Sequence, residues 1–421
     1  MSRPCIVLAG GGTGGHVFPL LAVADALRAG ASRLRLVFVG TARGIETDVV
    51  PERGYELELG RVQPIRGGGW MQAARGAVRA VTSVPEGWAL LERLRPRAVL
   101  SIGGYAAGPV TLAARLRRVP LALMEPNARI GLANRLVAPL VQRAYTAFAD
   151  VEPCFPRNAV LRTGVPIRSG FAPQLYQGHA GALRVLVLGG SQGAESLNRE
   201  IPLALRRMAT PTEVVHQAGR DRHFAVEGRY RELGMAPQVR VVPFIDDMPQ
   251  AMAAADLVLG RSGASMVAEV CAVGRASVLI PYPHAAADHQ LHNALSLERA
   301  GASVCLRATQ ANAERIAAEI DRLASIPGRF AAMAERARSL GQPEAAATIA
   351  ADLLALGQLS EDGDPAQGKR DESVPPEATM CQMAGGLERR PPARAGLPGV
   401  PGEAIESVVM QLGAAGRLEV G

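Results

Sequence analysis

The chain has 421 residues, 48% of them hydrophobic and 20% charged, an ordinary globular composition that excludes a disordered or fibrous class and leaves material for two sizeable cores. Its 46 Lys and Arg outnumber 39 Asp and Glu, giving a net charge of +7. That excess is uneven: residues 358–421 hold 10 acidic and 6 basic side chains, a net of −4, so residues 1–357 carry +11. A basic body favours an anionic partner such as a nucleotide or an acidic lipid. The five cysteines (Cys5, Cys154, Cys271, Cys305, Cys381) form no CxxC or Cys/His spacing, which argues against a disulfide frame or zinc site. No signal peptide is expected, and no stretch reaches the roughly 18–20 apolar residues a membrane span needs, so any membrane contact is expected from the surface.

The first half alternates short aliphatic runs with helical patterns. Residues 5–9 read as a buried strand, 20–29 as a helix and 34–39 as a second strand. Residues 98–102 and 121–124 are further strands, preceded by helical segments at 84–94 and 109–117. Continuous aliphatic strands alternating with helices predict a parallel sheet covered on both faces. The second half restarts the pattern. A strand at 183–188 enters Gly189-Gly190-Ser191-Gln192-Gly193, a helix follows at 197–208, and strands are expected at 213–216, 239–242, 257–260 and 277–280. The break falls at Thr163-Gly164-Val165-Pro166, where glycine and proline mark a linker. The expectation is an α/β protein of two doubly wound, Rossmann-like domains facing a cleft, one at 1–164 and one at 165–357 with terminal helices from 313 to 356. Residues 358–421, rich in Pro, Gly and charge, are expected to be a disordered tail with one weak helical stretch at 403–412.

Four motifs carry chemistry. Gly10-Gly11-Gly12-Thr13-Gly14-Gly15-His16 joins the first strand to the first helix; its glycines let backbone amides and the helix N-terminus face an anion. It matches a dinucleotide fingerprint, but the second strand ends Val39-Gly40-Thr41 with no acidic residue to hold a ribose, which argues against a dehydrogenase. His16 starts the helix and can take a proton from a sugar hydroxyl, unless it merely caps or packs. Ser101-Ile-Gly-Gly-Tyr105 and Glu125-Pro126-Asn127 end later strands of the same sheet, where polar groups reach the cleft. Tyr105 and Glu125 are candidates for the acceptor side. The loop at 189–193 repeats the glycine pattern in the second domain, with Ser191 placed to bond a phosphate. The densest cluster is Phe244-Ile245-Asp246-Asp247-Met248, Arg261-Ser262-Gly263-Ala264-Ser265-Met266-Val267-Ala268-Glu269, and Pro281 to Asn293. Successive strand ends should converge: backbone beside Ile245 to read a base edge, Ser262 to Ser265 opening a helix suited to a diphosphate, Glu269 for ribose hydroxyls, Gln290 for a sugar. His284, His289 and His292 lack a companion carboxylate or cysteine at ligand spacing, so no metal is expected.

Taken together and in this order, Gly-Gly-Thr-Gly-Gly-His, Gly-Gly-Tyr-x-x-Gly-Pro, Gly-Gly-Ser-Gln-Gly-Ala, Phe-Ile-Asp-Asp-Met and Arg-Ser-Gly-Ala closely resemble the bacterial MurG family, the UDP-N-acetylglucosamine:undecaprenyl-pyrophosphoryl-N-acetylmuramyl-pentapeptide N-acetylglucosamine transferases. The resemblance covers about residues 4–355. It implies the two-domain glycosyltransferase-B fold, with Ile245, Ala264, Ser265, Met266, Val267, Ala268, Glu269 and Gln290 holding uridine, ribose and sugar. Thr13, Gly14, Gly15, Asn127, Arg168 and Ser191 would complete the donor site across the cleft, with His16 the favoured base and no cofactor. It also implies a peripheral enzyme on the cytoplasmic face of the inner membrane, with UDP-N-acetylglucosamine, the undecaprenyl-linked muramyl-pentapeptide and anionic lipid as partners. Cell-wall synthesis proteins are admitted as partners and nucleic acid is not. Arg66, Trp70, Met71, Arg75 and Arg79 offer a cationic, apolar patch for the lipid. The chain departs from the family pattern at Met124 and Pro126, where histidine and glutamine are usual, and at Val165, where asparagine is usual. The alternatives are another enzyme of the same fold, such as a 2-epimerase or a diacylglycerol glycosyltransferase, or a non-catalytic UDP-sugar-binding scaffold.

Overall fold

The structure is a computed structural model that describes residues 3–60, 83–104, 107–178, 181–190 and 193–360. Thr13, Gly14, Gly15, His16, Glu125, Asn127, Arg168, Ile245, Ala264 to Glu269 and Gln290 therefore lie in view, whereas Tyr105, Ser191, the patch at 66–81 and the tail beyond 360 fall outside the described residues.

The first lobe runs β1 (Cys5–Gly10), α1 (Gly14–Gly30), β2 (Arg35–Thr41), α2 (Glu46–Glu52), β3 (Glu56–Gly60), α3 (Val84–Leu94), β4 (Ala98–Gly103), α4 (Ala107–Leu116), β5 (Leu121–Glu125), α5 (Leu132–Val137), β6 (Arg143–Thr146) and β7 (Val160–Arg162). The second runs β8 (Leu183–Leu188), α6 (Glu195–Arg207), β9 (Thr212–Gln217), α7 (His223–Glu232), β10 (Val239–Val242), α8 (Met248–Ala254), β11 (Leu257–Gly260), α9 (Ala264–Val273), β12 (Ala276–Leu279), α10 (His289–Arg299) and β13 (Ser303–Cys305). Three helices follow: α11 (Ala313–Ala324), α12 (Arg329–Leu340) and α13 (Ala345–Leu356).

Each lobe carries one wholly parallel sheet, in the order β3-β2-β1-β4-β5-β6-β7 and β10-β9-β8-β11-β12-β13. All six residues of β1 are buried, and successive side chains feed opposite cores. Ile6 and Leu8 join Leu20, Leu27 and Phe38 on one face, and Cys5, Val7 and Ala9 join Leu91, Val110 and Leu123 on the other. This is why the strand reads as an unbroken aliphatic run rather than an alternating one. β8 behaves alike, with Val185 and Val187 on one face and Leu186 and Leu188 on the other. In both sheets the strand order reverses beside the first strand, β1 against β4 and β8 against β11, and ligands of open α/β sheets bind at that reversal.

The first helix starts earlier than expected, at Gly14 rather than 20, and continues through Pro19, so the glycine motif itself supplies the first helical turn. α13 returns to the first lobe. Ile349, Ala350, Leu353 and Leu354 pack with Ile6, Leu8 and Leu20, and Asp352 accepts hydrogen bonds from Arg143 Nε (2.7 Å) and Tyr145 Oη (2.8 Å).

Candidate active site

Two helices that open on glycine meet between the lobes. α1 follows the tip of β1, and its N-cap, Thr13, is extended at φ −141° and ψ 156°. Thr13 O accepts from His16 N (3.0 Å) and Val17 N (3.1 Å), which closes the first turn. The opening amides of an α-helix have no intrahelical acceptor and present partial positive charge, so Gly14 and Gly15 put donors on the cleft side. α9 follows the tip of β11 after Arg261-Ser262-Gly263, again with an extended N-cap and no side-chain cap. The two helices touch.

His16 sits between the glycine loop and the Gly103–Gly104 turn, whose residues adopt φ of +87° and +82°. A Cβ on Gly104 would lie 3.4 Å from His16 Nδ1. Nδ1 is 3.2 Å from Gly11 O. A carbonyl only accepts, so Nδ1 carries the proton and Nε2 keeps its lone pair. Burial holds the imidazole below its usual range. Gly11 opposes that shift, His289 at the start of α10 reinforces it from the other lobe, and Glu46 opposes it. An unprotonated imidazole is the form that serves as a base.

On the opposite side, Ser265 Oγ is buried with no hydrogen-bond partner among the described residues. A buried hydroxyl in the first turn of a helix is an unsatisfied group that a phosphate oxygen would satisfy. Glu269 lies one turn further along α9 and accepts from Arg168 Nε at 3.3 Å. Burial raises the Glu269 carboxyl, and Arg168 opposes the rise. Ile245, Met266 and Ala268 share a core with Ile167 and Phe171, which sets the wall beside that carboxyl. Arg261 reaches Ser196 Oγ (2.7 Å) and the carbonyls of Ile280 (3.0 Å) and Pro281 (3.1 Å), tying the start of α6 to the loop after β12. Gln290 Oε1 accepts from Tyr282 N at 3.0 Å, and Gln290 O accepts from Ser262 Oγ at 2.7 Å. Immediately before, Ala287 and Asp288 both adopt left-handed φ, 52° and 53°, and such strain concentrates at functional sites.

The lobes are joined by a polar network through Asn293, which is completely buried. Its Oδ1 accepts from Ala128 N (2.8 Å), and its Nδ2 donates to Asn127 Oδ1 (3.1 Å) and Ser262 O (3.0 Å). Arg129 with His292 (3.0 Å) and Arg299 with Asp150 (2.7 Å) flank it. Asn127 and Gln290, expected from opposite domains, thus belong to one hydrogen-bonded chain through Asn293 and Ser262. Glu125 is turned into its own loop. It accepts from Asn127 N and Nδ2 (both 3.2 Å), Gly131 N (3.2 Å) and Asn134 Nδ2 (2.8 Å), with burial raising its carboxyl.

Two residues escaped the sequence reading. Asn293 stood inside a recognised motif without a role. Glu46 had no local signal at all, yet it is 1% exposed and bonded to the first glycine loop. The clustered histidines do not converge: His284 packs edge-on to Tyr282, His289 Nδ1 meets Ala286 O (2.8 Å), and His292 faces Arg129.

Residues 6–146 match the glycosyltransferase family 28 N-terminal domain, and residues 184–349 match the glycosyltransferase family 28 C-terminal domain. A relative in Sorangium cellulosum (strain So ce56), described as a UDP-N-acetylglucosamine–N-acetylmuramyl-(pentapeptide) pyrophosphoryl-undecaprenol N-acetylglucosamine transferase, is 54% identical over 358 residues, 84% of this chain and 88% of the relative. One of the same description in Myxococcus xanthus (strain DK1622) is 39% identical over 357 residues, 83% of this chain and 93% of the relative. The crystal structure of Acinetobacter baumannii MurG superposes with a TM-score of 0.71 at 29% identity, over 84% of this chain and 99% of that one. With both lobes matched in order and the relatives covered nearly end to end, the chain belongs to the UDP-N-acetylglucosamine–N-acetylmuramyl-(pentapeptide) pyrophosphoryl-undecaprenol N-acetylglucosamine transferase family.

Proposed function

We infer that the protein transfers N-acetylglucosamine from UDP-N-acetylglucosamine to the 4-hydroxyl of a lipid-linked N-acetylmuramyl-pentapeptide, inverting the anomeric centre, in peptidoglycan synthesis. The observation that carries the reading is the contact of two helices that each follow a glycine-containing strand-end loop, with His16 Nδ1 held by the Gly11 carbonyl at the start of one and the unpartnered Ser265 hydroxyl at the start of the other.

The donor's uracil lies along the Ile245 backbone, its ribose on Glu269 and its diphosphate at the start of α9, with Ala264 to Ala268 lining it and Gln290 on the sugar. Asn127, Arg168, Thr13, Gly14, Gly15 and Ser191 close the site. His16 Nε2 removes the proton of the attacking hydroxyl while the anomeric C–O bond breaks and UDP departs with its electrons. Helix dipoles, Ser191 and Arg168 meet the charge that develops on UDP. Tyr105 and Glu125 belong to the acceptor side, and Glu125 also braces the Asn127 loop. Domains divide at about residue 164, so that the first holds the acceptor and the second the donor.

The acceptor lipid sets the location: the enzyme is peripheral on the inner face of the bacterial membrane, held by anionic lipid. Among the described residues no helix is long and apolar enough to cross a membrane. Co-sedimentation with vesicles that rises with anionic lipid and falls with salt supports this; indifference to both counts against it. The activity test is UDP release with a synthetic muramyl-pyrophosphoryl-lipid acceptor against the same mixture without it. Acceptor-dependent release is expected. Conversion of the donor alone indicates an epimerase, and donor binding without release indicates a scaffold.

A further inference from the structure

Gly11 and Gly12 share one peptide unit, and both of its polar ends are engaged. The Gly11 carbonyl accepts from His16 Nδ1 at 3.2 Å. The Gly12 N–H on the opposite side of the same plane donates to the Glu46 carboxylate, 2.9 Å from Oε2 and 3.1 Å from Oε1. Glu46 opens α2, and its remaining donors are Thr41 N at 2.8 Å and Thr41 Oγ1 at 2.9 Å. Space for this carboxylate is made by three glycines from three segments: a Cβ on Gly11, Gly40 or Gly44 would overlap it. Gly12 itself sits at φ +91°, where a side chain would be strained.

We propose that Glu46 is a positioning residue for the transfer reaction, acting on His16 through the Gly11–Gly12 peptide as a carboxylate–amide–imidazole relay. The proposal rests on His16 being the base. A carboxylate bound to an amide N–H polarises that peptide and makes its carbonyl a stronger acceptor. The carbonyl fixes the Nδ1–H tautomer, aims Nε2 outward, and stabilises the imidazolium that forms as Nε2 takes the acceptor hydroxyl's proton. In that step the O–H bond breaks, Nε2–H and the new glycosidic C–O bond form, and UDP leaves with the old bond's electrons; Glu46 gains no proton. The logic is that of a carboxylate–histidine pair, with one peptide inserted between the partners. The charged and titratable groups acting on the imidazole are Glu46 from its own lobe and His289 from α10, with opposite sign. Glu46 therefore offsets part of what burial and His289 take from the basicity of His16.

The test is Glu46→Gln, which keeps Oε1 for Thr41 and at 3.1 Å from the Gly12 N–H, but removes the charge and puts an NH2 in place of Oε2, the nearer acceptor at 2.9 Å. Acceptor-dependent UDP release is measured across pH in the wild-type and His16→Ala backgrounds. In the wild-type background kcat should fall about tenfold or more, with KM for UDP-N-acetylglucosamine within about twofold. The acid limb of the kcat profile should move to lower pH, because the imidazolium has lost its distant counter-charge. In the His16→Ala background Glu46→Gln should cost less than about twofold, since two residues that act as a unit are not additive. Equal losses in both backgrounds, or an unmoved acid limb, overturn the relay and leave Glu46 a loop brace. A His16→Ala enzyme with undiminished turnover instead overturns the base assignment on which the relay rests. If Glu46→Gln does not fold, ring-nitrogen NMR of His16 in the wild-type protein decides: an Nδ1–H tautomer supports the relay and an Nε2–H tautomer overturns it.

Discussion

Asn293→Ala tests how the lobes are held at the site. The wild-type side chain satisfies Ala128 N–H in the first lobe and Ser262 C=O in the second, both on buried residues. Removing it leaves two buried main-chain groups without partners, at about 1–3 kcal/mol each. Asn127 Oδ1 loses a donor too, but Asn127 is only half-buried and can take water. The closed arrangement is thus disfavoured by about 2–6 kcal/mol, relieved if the lobes part and water enters. Taking about 3 kcal/mol, the closed fraction relative to open falls by roughly a hundredfold. Steady-state kinetics should show kcat/KM for UDP-N-acetylglucosamine reduced by about 10–100-fold, with a larger radius of gyration by small-angle scattering in the absence of donor. Asn293→Asp, which keeps an acceptor for Ala128 but no donor for Ser262, should fall between. A variant with wild-type kcat/KM and unchanged scattering would refute the claim that this side chain holds the lobes together.

Three other outcomes follow from the geometry. Glu269→Ala should raise KM for the donor by about 10–100-fold, the loss of one or two charge-assisted hydrogen bonds, with kcat changed less; an unchanged KM would remove Glu269 from the ribose site. His216, buried between Tyr230 Oη (3.0 Å) and Asn198 Oδ1 (3.1 Å), is pushed down to about 3 by burial. Its unfolded value is about 6.5, so the stability it contributes is present above that pH and is lost on acidification towards 3, by up to about 1.4 kcal/mol per pH unit. His216→Gln should flatten the acid arm of a urea-midpoint profile between about pH 6 and 4, and an unchanged slope would assign that arm elsewhere. Asp352→Ala leaves the half-buried Arg143 and the buried Tyr145 hydroxyl without their carboxylate and should lower the melting temperature by several degrees, about 2–3 kcal/mol, without altering donor KM; a shift in KM would place this pair in the site's energetics.

The parts of the fold visible in the sequence were those set by short-range patterns. β1 and β8 are runs of aliphatics buried on both faces and ending in glycine, and both signals sit within ten residues. β6 and β7 were missed because Arg143-Ala-Tyr-Thr146 and Val160-Leu-Arg162 are too short and mixed to show a period; their strand state comes from pairing with β5 and each other. His16 and Glu269 were legible as candidates because each follows a glycine turn at a strand end, and Gln290 because it lies in the polar run after β12. Glu46 was not. Its partners lie 34 residues back at Gly12 and 5 back at Thr41, and a glutamate opening a helix ordinarily faces solvent. The bonds that Glu125 accepts from the amides of its own loop were equally invisible, because they depend on how residues 127–134 fold back.

The last helix has a consequence for how the protein is made. Ile349 and Leu353 fill a gap among Ile6, Leu8 and Leu20, more than three hundred residues upstream. During synthesis the N-terminal lobe emerges first yet stays short of its final packing until residue 356 has left the ribosome. The second lobe, whose strands and cover run without such a debt to distant chain, can settle earlier. The half that begins the polypeptide is thus the half that finishes folding last.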